Sequence, residues 1–337
     1  MRAALSCGAV CARWLAAVLA AVSGGLLCAP AVAAVPSSLP SSPPSSPLIS
    51  AEEARALVEG GQADIVDARD LALSVWAGHA PGAAHLPWRA LVEWEERAPS
   101  GALVESRRVA ARLSALGLSP ARLTVVYGDW GEGWGEEGRA LWTLEYMGHE
   151  RVRVVEGGWR AWRAAGGGRA LGPARPRCRA PGGCLPADWR PRPELRATTE
   201  ELPALLAAGA APVDARALEE FNGAAPHGEE RGGRLPGARH LEWSTLIDGA
   251  RLRSPAELRA LLAAAGVPAR PTAEEPLVLY CTGGVRSGFL YLALRAAGVR
   301  HARNYDGSWW EWARLHPQGP PRLPPRPHTP TSAQGAP

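Results

Sequence analysis

The sequence predicts an α/β protein made of two tandem domains, each an open, mainly parallel sheet flanked by helices. Three observations carry that expectation. The short apolar runs "DIVDA", "TVVYG", "VRVVE" and "LVLYC" are rich in aliphatic and β-branched residues, as the doubly covered strands of parallel sheets are. Stretches of helical composition, "ESRRVAARLSALG", "SPAELRALLAAAG" and "FLYLALRAAG", alternate with them. The whole pattern is also run through twice. "ADIVDARD", "GHAPGAAHLPW", "LTVVYGD" and "VRVVEGGWRAW" are followed, in the same order, by "APVDARA", "GRLPGARHLEW", "LVLYCTG" and "ARNYDGSWWEW". Matched elements lie on the order of 150 residues apart, which makes the repeats domains rather than solenoid units.

The N-terminus reads as an export signal over residues 1–34. Arg2 and Arg13 supply positive charge, an uninterrupted apolar stretch follows, and Ala31 to Ala34 offer small residues for cleavage. The apolar stretch is short for a bilayer span, which takes ~20 residues. Leucines before Cys28 speak against a lipoprotein site. The expected destination is periplasmic or extracellular, with no stable membrane span after cleavage. A Pro/Ser-rich linker occupies 35–47, the first domain 48–168, an interdomain linker 169–193, the second domain 194–316 and a Pro-rich tail, disordered by composition, 317–337. Each domain opens on a capping box, Ser50…Glu53 and Thr198…Glu201, whose side chains satisfy free amides at a helix start. "LVEGG" and "LLAAG" end those helices in glycine, and Ser254, Pro255 and Glu257 mark a further helix start.

The 337 residues carry a formal net charge of +4, and every basic residue is arginine. The arginines are scattered among acids, so the clustered positive face of a nucleic-acid binder is missing. Of the six cysteines, Cys7, Cys11 and Cys28 would leave with the signal. Cys178 and Cys184 bracket the turn "RAPGG" and are the candidate disulfide in an oxidising compartment. A zinc site takes about four ligands, and no histidine pair lies nearby; no metal site is expected. Cys281 is the odd thiol.

Cys281 ends an apolar run and begins the loop Thr282, Gly283, Gly284, Val285, Arg286, Ser287, which leads into an apolar helix. A cysteine in this position is either a small hydrophobe at the end of a strand or a nucleophile ringed by backbone amides. Strand–loop–helix geometry lets successive N–H groups converge on an anion. Gly283 and Gly284 admit the dihedrals such a cradle needs.

"VDAR", "PGARHL", "YCTGGVRS" and "NYDGSWWEW" together resemble the tandem rhodanese-type sulfurtransferases over roughly residues 48–316. The resemblance implies two rhodanese-like domains, the first catalytically silent, and Cys281 as the catalytic residue that carries sulfur as a persulfide. It implies a small sulfur donor, thiosulfate or a mercapto acid, a thiophilic acceptor and no cofactor. Gly128 aligns with Cys281, so the first domain offers no thiol, and its longer, acidic loop would repel an anion. Cysteine phosphatases and arsenate reductases share the thiolate-in-a-loop plan but place arginine after five intervening residues, where this chain has four. The other alternative is a non-catalytic sulfur carrier or partner-binding module.

The chain also departs from the family's patterns. Thiosulfate-type loops carry lysine and arginine after the cysteine, where Thr282 and Gly283 stand, and mercaptopyruvate-type loops lack the Arg286–Ser287 ending. A substrate-binding arginine six residues past the "VDAR" aspartate is replaced by Glu220. Arg286 is placed either to meet an anion or to pair with a carboxylate and brace the loop. Asp214, Arg216 and the recurring His85 and His240 are expected to support the fold.

Overall fold

The repeated apolar runs form two sheets of identical plan in the computed structural model, which describes residues 46–174 and 187–317. The expected signal, most of the Pro/Ser linker and of the tail, and the pair Cys178 and Cys184 lie outside the described residues. The first sheet holds β1 (Leu48–Ile49), β2 (Ala63–Asp67), β3 (Ala84–His85), β4 (Leu123–Tyr127) and β5 (Val152–Val155), in the order β1-β5-β4-β2-β3. In the second half come β6 (Arg196–Ala197), β7 (Ala211–Asp214), β8 (Arg239–His240), a small hairpin β9 (Ile247–Asp248) and β10 (Arg251–Leu252), β11 (Leu277–Tyr280) and β12 (Ala302–Tyr305). Its main sheet runs β6-β12-β11-β7-β8. Every pairing in the two five-stranded sheets is parallel. All residues of the central strands β4 and β11 are buried, as helices on both faces require.

The helices are α1 (Ala51–Glu59), α2 (Leu71–Trp76), α3 (Ser106–Ala115), α4 (Glu136–Tyr146) and α5 (Gly158–Ala164) in the first half. In the second they are α6 (Leu202–Ala207), α7 (Leu218–Phe221), α8 (Pro255–Ala264), α9 (Arg286–Ala296) and α10 (Ser308–Leu315). Ser50 caps α1 by accepting the Glu53 N–H at 3.2 Å, and Ser254 with Glu257 forms a reciprocal box on α8. The second capping box needs a correction. Thr198 and Glu201 do bond each other's amides, at 3.2 and 3.4 Å, but α6 starts only at Leu202. Pro203 has no N–H for the Thr199 carbonyl, so the ladder breaks there and residues 199–201 remain a turn.

All described residues lie in one compact unit, and one buried cluster runs through both halves. Separate clusters fill the outer face of each sheet. The helices α4 and α9 meet where each carries a glycine: a Cβ on Gly138 would strike the Phe289 backbone, and one on Gly288 would strike that of Arg139. That close approach puts the start of a first-half helix against the loop that follows β11.

Candidate functional site

Cys281 sits at the carboxyl end of central strand β11, where open parallel sheets present their loops to ligands. The first turn of α10 has free amides, and two of them bond back to this loop. Trp309 N–H donates to the Cys281 carbonyl and Trp310 N–H to that of Thr282, both at 3.0 Å. Asn304 Nδ2 donates to the Gly284 carbonyl at 3.2 Å. In a trans peptide the N–H points opposite to the C=O. Carbonyls held outward therefore turn the amides of Thr282, Gly283 and Val285 the other way. Gly284 takes the left-handed conformation, φ 77°, and its N–H donates to Cys281 Sγ at 3.1 Å. Ser308, also left-handed at φ 54°, receives the Cys281 N–H at 3.1 Å and donates to the Tyr305 carbonyl at 2.7 Å. A non-glycine residue in that conformation is strained, and here the strain places the hydroxyl under the nucleophile's amide.

Cys281 is 1% exposed. Burial pushes its thiol up, but Arg286 and the N–H groups of Ser287 and Gly283 outweigh burial and leave it below its ordinary value. Ser287 Oγ lies 3.8 Å from Sγ and 2.7 Å from Asn304 Oδ1, so its single proton serves Asn304 in this arrangement. A thiolate in such a setting is a nucleophile, and the amides that hold it also suit an anionic persulfide sulfur.

The structure places Arg286 against Glu220. Nη1 and Nη2 reach the two carboxylate oxygens at 2.6 and 2.8 Å, and Thr282 Oγ1 donates to Glu220 Oε1 at 2.8 Å. Burial acts to raise the Glu220 carboxyl, but Arg286 and Thr282 prevail and hold it at about 2. Arg286 thus braces the loop while its charge still favours the thiolate. Glu220 itself was legible only as a missing arginine; its pairing needs the α7–α9 contact, which no spacing reveals.

The repeated "VDAR" pairs do the same work in each half. Asp67 binds Arg69 and Asp214 binds Arg216, each at 2.7 Å and fully buried, and Arg216 goes on to the Gly233 carbonyl. His85 and His240 hold the carbonyls of Arg69 and Arg216 at 2.9 and 2.8 Å through Nε2, which must carry the proton because a carbonyl only accepts. None of these contacts Cys281.

In the first half a carboxyl stands where the second half has its sulfur. A Cβ on Gly128 would collide with Glu137 Oε2. With Gly138 matching Gly288 in helices of equal length, Glu137 takes the place of Ser287 in the repeat and Glu136 that of Arg286. Both Glu137 oxygens are buried without a partner, and burial, with Glu136 nearby, raises this carboxyl to about 8. The first half nevertheless reaches the second half's loop, which the sequence did not foretell. Arg139 Nη1 donates to the Gly284 carbonyl at 3.0 Å, and Gly101 packs against the Gly283 carbonyl. Aromatic rings surround the loop as well. Trp310 covers Gly283 and meets Trp94 edge-on at 5.3 Å, while Trp134 meets His227 edge-on at 5.4 Å and carries Arg286 over its ring at 5.3 Å.

Compared with known proteins, the chain matches the Rhodanese-like domain twice, over residues 50–165 and 198–315. The thiosulfate sulfurtransferase of Pseudomonas aeruginosa is 36% identical over 247 residues, covering 72% of this chain and 85% of the relative. The sulfur carrier protein TtuD of Thermus thermophilus is 29% identical over 282 residues, 80% of this chain and 94% of the relative. The crystal structure of SseA from Escherichia coli, described as having the rhodanese fold of 3-mercaptopyruvate sulfotransferases, superposes with a TM-score of 0.64 at 25% identity. It covers 78% of this chain and 99% of SseA. The chain belongs to the rhodanese family, with two copies of the domain in tandem. Within that family it is a sulfurtransferase.

Proposed function

We propose that the chain moves a sulfane sulfur from a small donor to a thiophilic acceptor through a persulfide on Cys281. The observation that supports this most is the Gly284 N–H on Sγ at 3.1 Å, in a loop whose carbonyls are tied outward. With thiosulfate, the donor named for the Pseudomonas relative, the Cys281 thiolate attacks the outer sulfur. The donor S–S bond breaks and its electron pair leaves with sulfite, giving Cys281–S–S⁻. An acceptor such as cyanide then attacks the terminal sulfur, leaves as thiocyanate and returns the thiolate. No external oxidant or reductant enters. The backbone amides hold the negative sulfur at both stages.

The first half takes no covalent part in this reading, because Gly128 has no side chain and Glu137 fills the space beside it. Export is supported by the charged and apolar pattern of residues 1–34, and pairing of Cys178 with Cys184 by their closeness around a Pro-Gly-Gly turn. Such pairing would keep two thiols from drawing sulfur off Cys281 by exchange. Among the described residues no helix is long and apolar enough to cross a membrane.

The test is intact mass after incubation with thiosulfate and, separately, with mercaptopyruvate. A competent donor adds one sulfur atom, cyanide removes it, and Cys281→Ser abolishes both the gain and thiocyanate formation. Undiminished thiocyanate production by that variant would take Cys281 out of the mechanism.

A further inference from the structure

Arg139 belongs to α4 of the first half, yet its guanidinium ends inside the second half's loop. It is 1% exposed. Nη1 donates to the Gly284 carbonyl at 3.0 Å and Nη2 to the Gly101 carbonyl at 2.6 Å. Gly101 in turn packs against the Gly283 carbonyl, which belongs to the same peptide as the Gly284 N–H that reaches Cys281 Sγ. Arg139 therefore staples a first-half strap to the loop and fixes two consecutive peptides of it. Its nearest carboxylate is Asp306 at 3.9 Å. Asp306 is already engaged by Arg196 at 2.9 Å and by the Leu103 N–H at 2.7 Å, and Arg139 Nε has no partner. The guanidinium's charge is thus only partly compensated.

We propose that Arg139 is a positioning residue for sulfur transfer: the half without a nucleophile completes the persulfide cradle by holding the Gly283–Gly284 segment and lending it positive charge. The charged groups around Cys281 support that role. Arg286 of α9 acts most strongly on the thiol but shares its charge with Glu220 of α7, and Asp306, beyond β12, is shared with Arg196. Arg139 is the contribution from the first half. Burial pulls its guanidinium down to about 10, with Asp306 opposing, so the side chain is still charged at neutral pH. A residue of purely structural value at this contact would need no charge, and the matching position on α9 is Phe289.

The inference rests on Cys281 as sulfur carrier, but its test reads the cradle separately. The rate of Cys281 alkylation by iodoacetamide is followed against pH for the whole protein, Arg139→Met and Arg139→Lys, with persulfide loading by thiosulfate measured in parallel. Arg139→Met should move the alkylation midpoint up by about half a pH unit or more and lower loading roughly fivefold or more. Arg139→Lys, which keeps the charge and one donor, should restore most of the midpoint. The midpoint is read only on variants shown to be folded, because an unfolded Cys281 would alkylate with the ordinary midpoint of a free thiol and mimic the shift, and Arg139→Gln serves if the Met variant is lost. A folded Met or Gln variant with the original midpoint and loading overturns the inference, as does a Lys variant whose midpoint equals that of Met. Absent loading in every protein, with the midpoint still shifted, would defeat the persulfide reading and leave the cradle role standing.

Discussion

Glu220 Oε2 lies 2.6 Å from Arg286 Nη1, and the two side chains, 3% and 5% exposed, neutralise each other at the edge of the cysteine loop. In a family whose resemblance implies an arginine at the Glu220 position, this pair makes one guanidinium do the bracing and the electrostatics together.

Breaking the pair from one side should therefore separate those two jobs. Arg286→Met leaves Glu220 buried without its guanidinium partner, a change expected to cost about 3–5 kcal/mol in urea unfolding. It should also raise the pH at which Cys281 is alkylated, because Arg286 is the foremost influence lowering that thiol against burial. Adding Glu220→Gln should recover much of the stability and none of the thiol acidity. A double variant with the parent's alkylation profile would show that Arg286 only braces the loop.

Two buried glutamates should bend the stability–pH curve in opposite senses. Glu220 is held at about 2, below its ordinary 4.5, so its contribution is present above about pH 4.5 and is lost as pH falls toward 2. Glu137 is raised to about 8, so the unfolded chain binds fewer protons between pH 4.5 and 8 and stability drains away as pH rises through that window. Glu137→Gln should accordingly be neutral at pH 4 and stabilising by about 3 kcal/mol at pH 7. Equal effects of that substitution at pH 4 and pH 8 would mean that Glu137 is charged in the folded protein.

The sheets, their repetition and the cysteine loop were legible because they are local: strand runs, capping residues and a Gly-Gly pair each sit within a few positions of one another. Ser308 and Asn304 stand inside "NYDGSWWEW", a stretch that resembles the family, but their bonds to Cys281 and Gly284 depend on β12 lying beside β11. Arg139 and Gly101 were out of reach, since they act across more than a hundred residues and in the half that lacks the thiol. The late start of α6 was readable in principle, because Pro203 cannot make the bond to the Thr199 carbonyl that would follow the one from Leu202 N–H to the Thr198 carbonyl.

Restoring a thiol to the first half should not create a second sulfur carrier. In Gly128→Cys the new Cβ would run into Glu137 Oε2, and the positions matching Arg286 and Ser287 are both glutamates. Their carboxyls disfavour a thiolate where the second half's groups favour it. Intact mass after thiosulfate should still show a single added sulfur, and peptide mapping should place it on Cys281. A second cyanide-labile sulfur on residue 128 would show that the acidic loop is no obstacle.

The two loop glycines should differ in what they tolerate. At Gly284 the backbone is left-handed, φ 77°, which costs an L-residue about 1–2 kcal/mol before any contact is counted. A Cβ there would also strike Arg139 Nη1 and lie 2.6 Å from the Asp306 carbonyl, and neither can retreat, one being pinned by two carbonyls and the other being backbone. The loop must shift instead, and the N–H on Cys281 Sγ goes with it. Gly284→Ala should therefore lower single-turnover persulfide formation by about 100-fold, the scale on which losing one anion-holding donor is felt. At Gly283 the obstacle is the Trp310 ring, a half-buried side chain held by one 2.9 Å bond from Nε1 to the His227 carbonyl and by its edge-on contact with Trp94, which can give where backbone cannot. Gly283→Ala should cost less than about tenfold in the same assay, with the Sγ contact of Gly284 retained. If the two alanine variants load sulfur at similar rates, the Gly284 amide is not the group that holds the transferred sulfur.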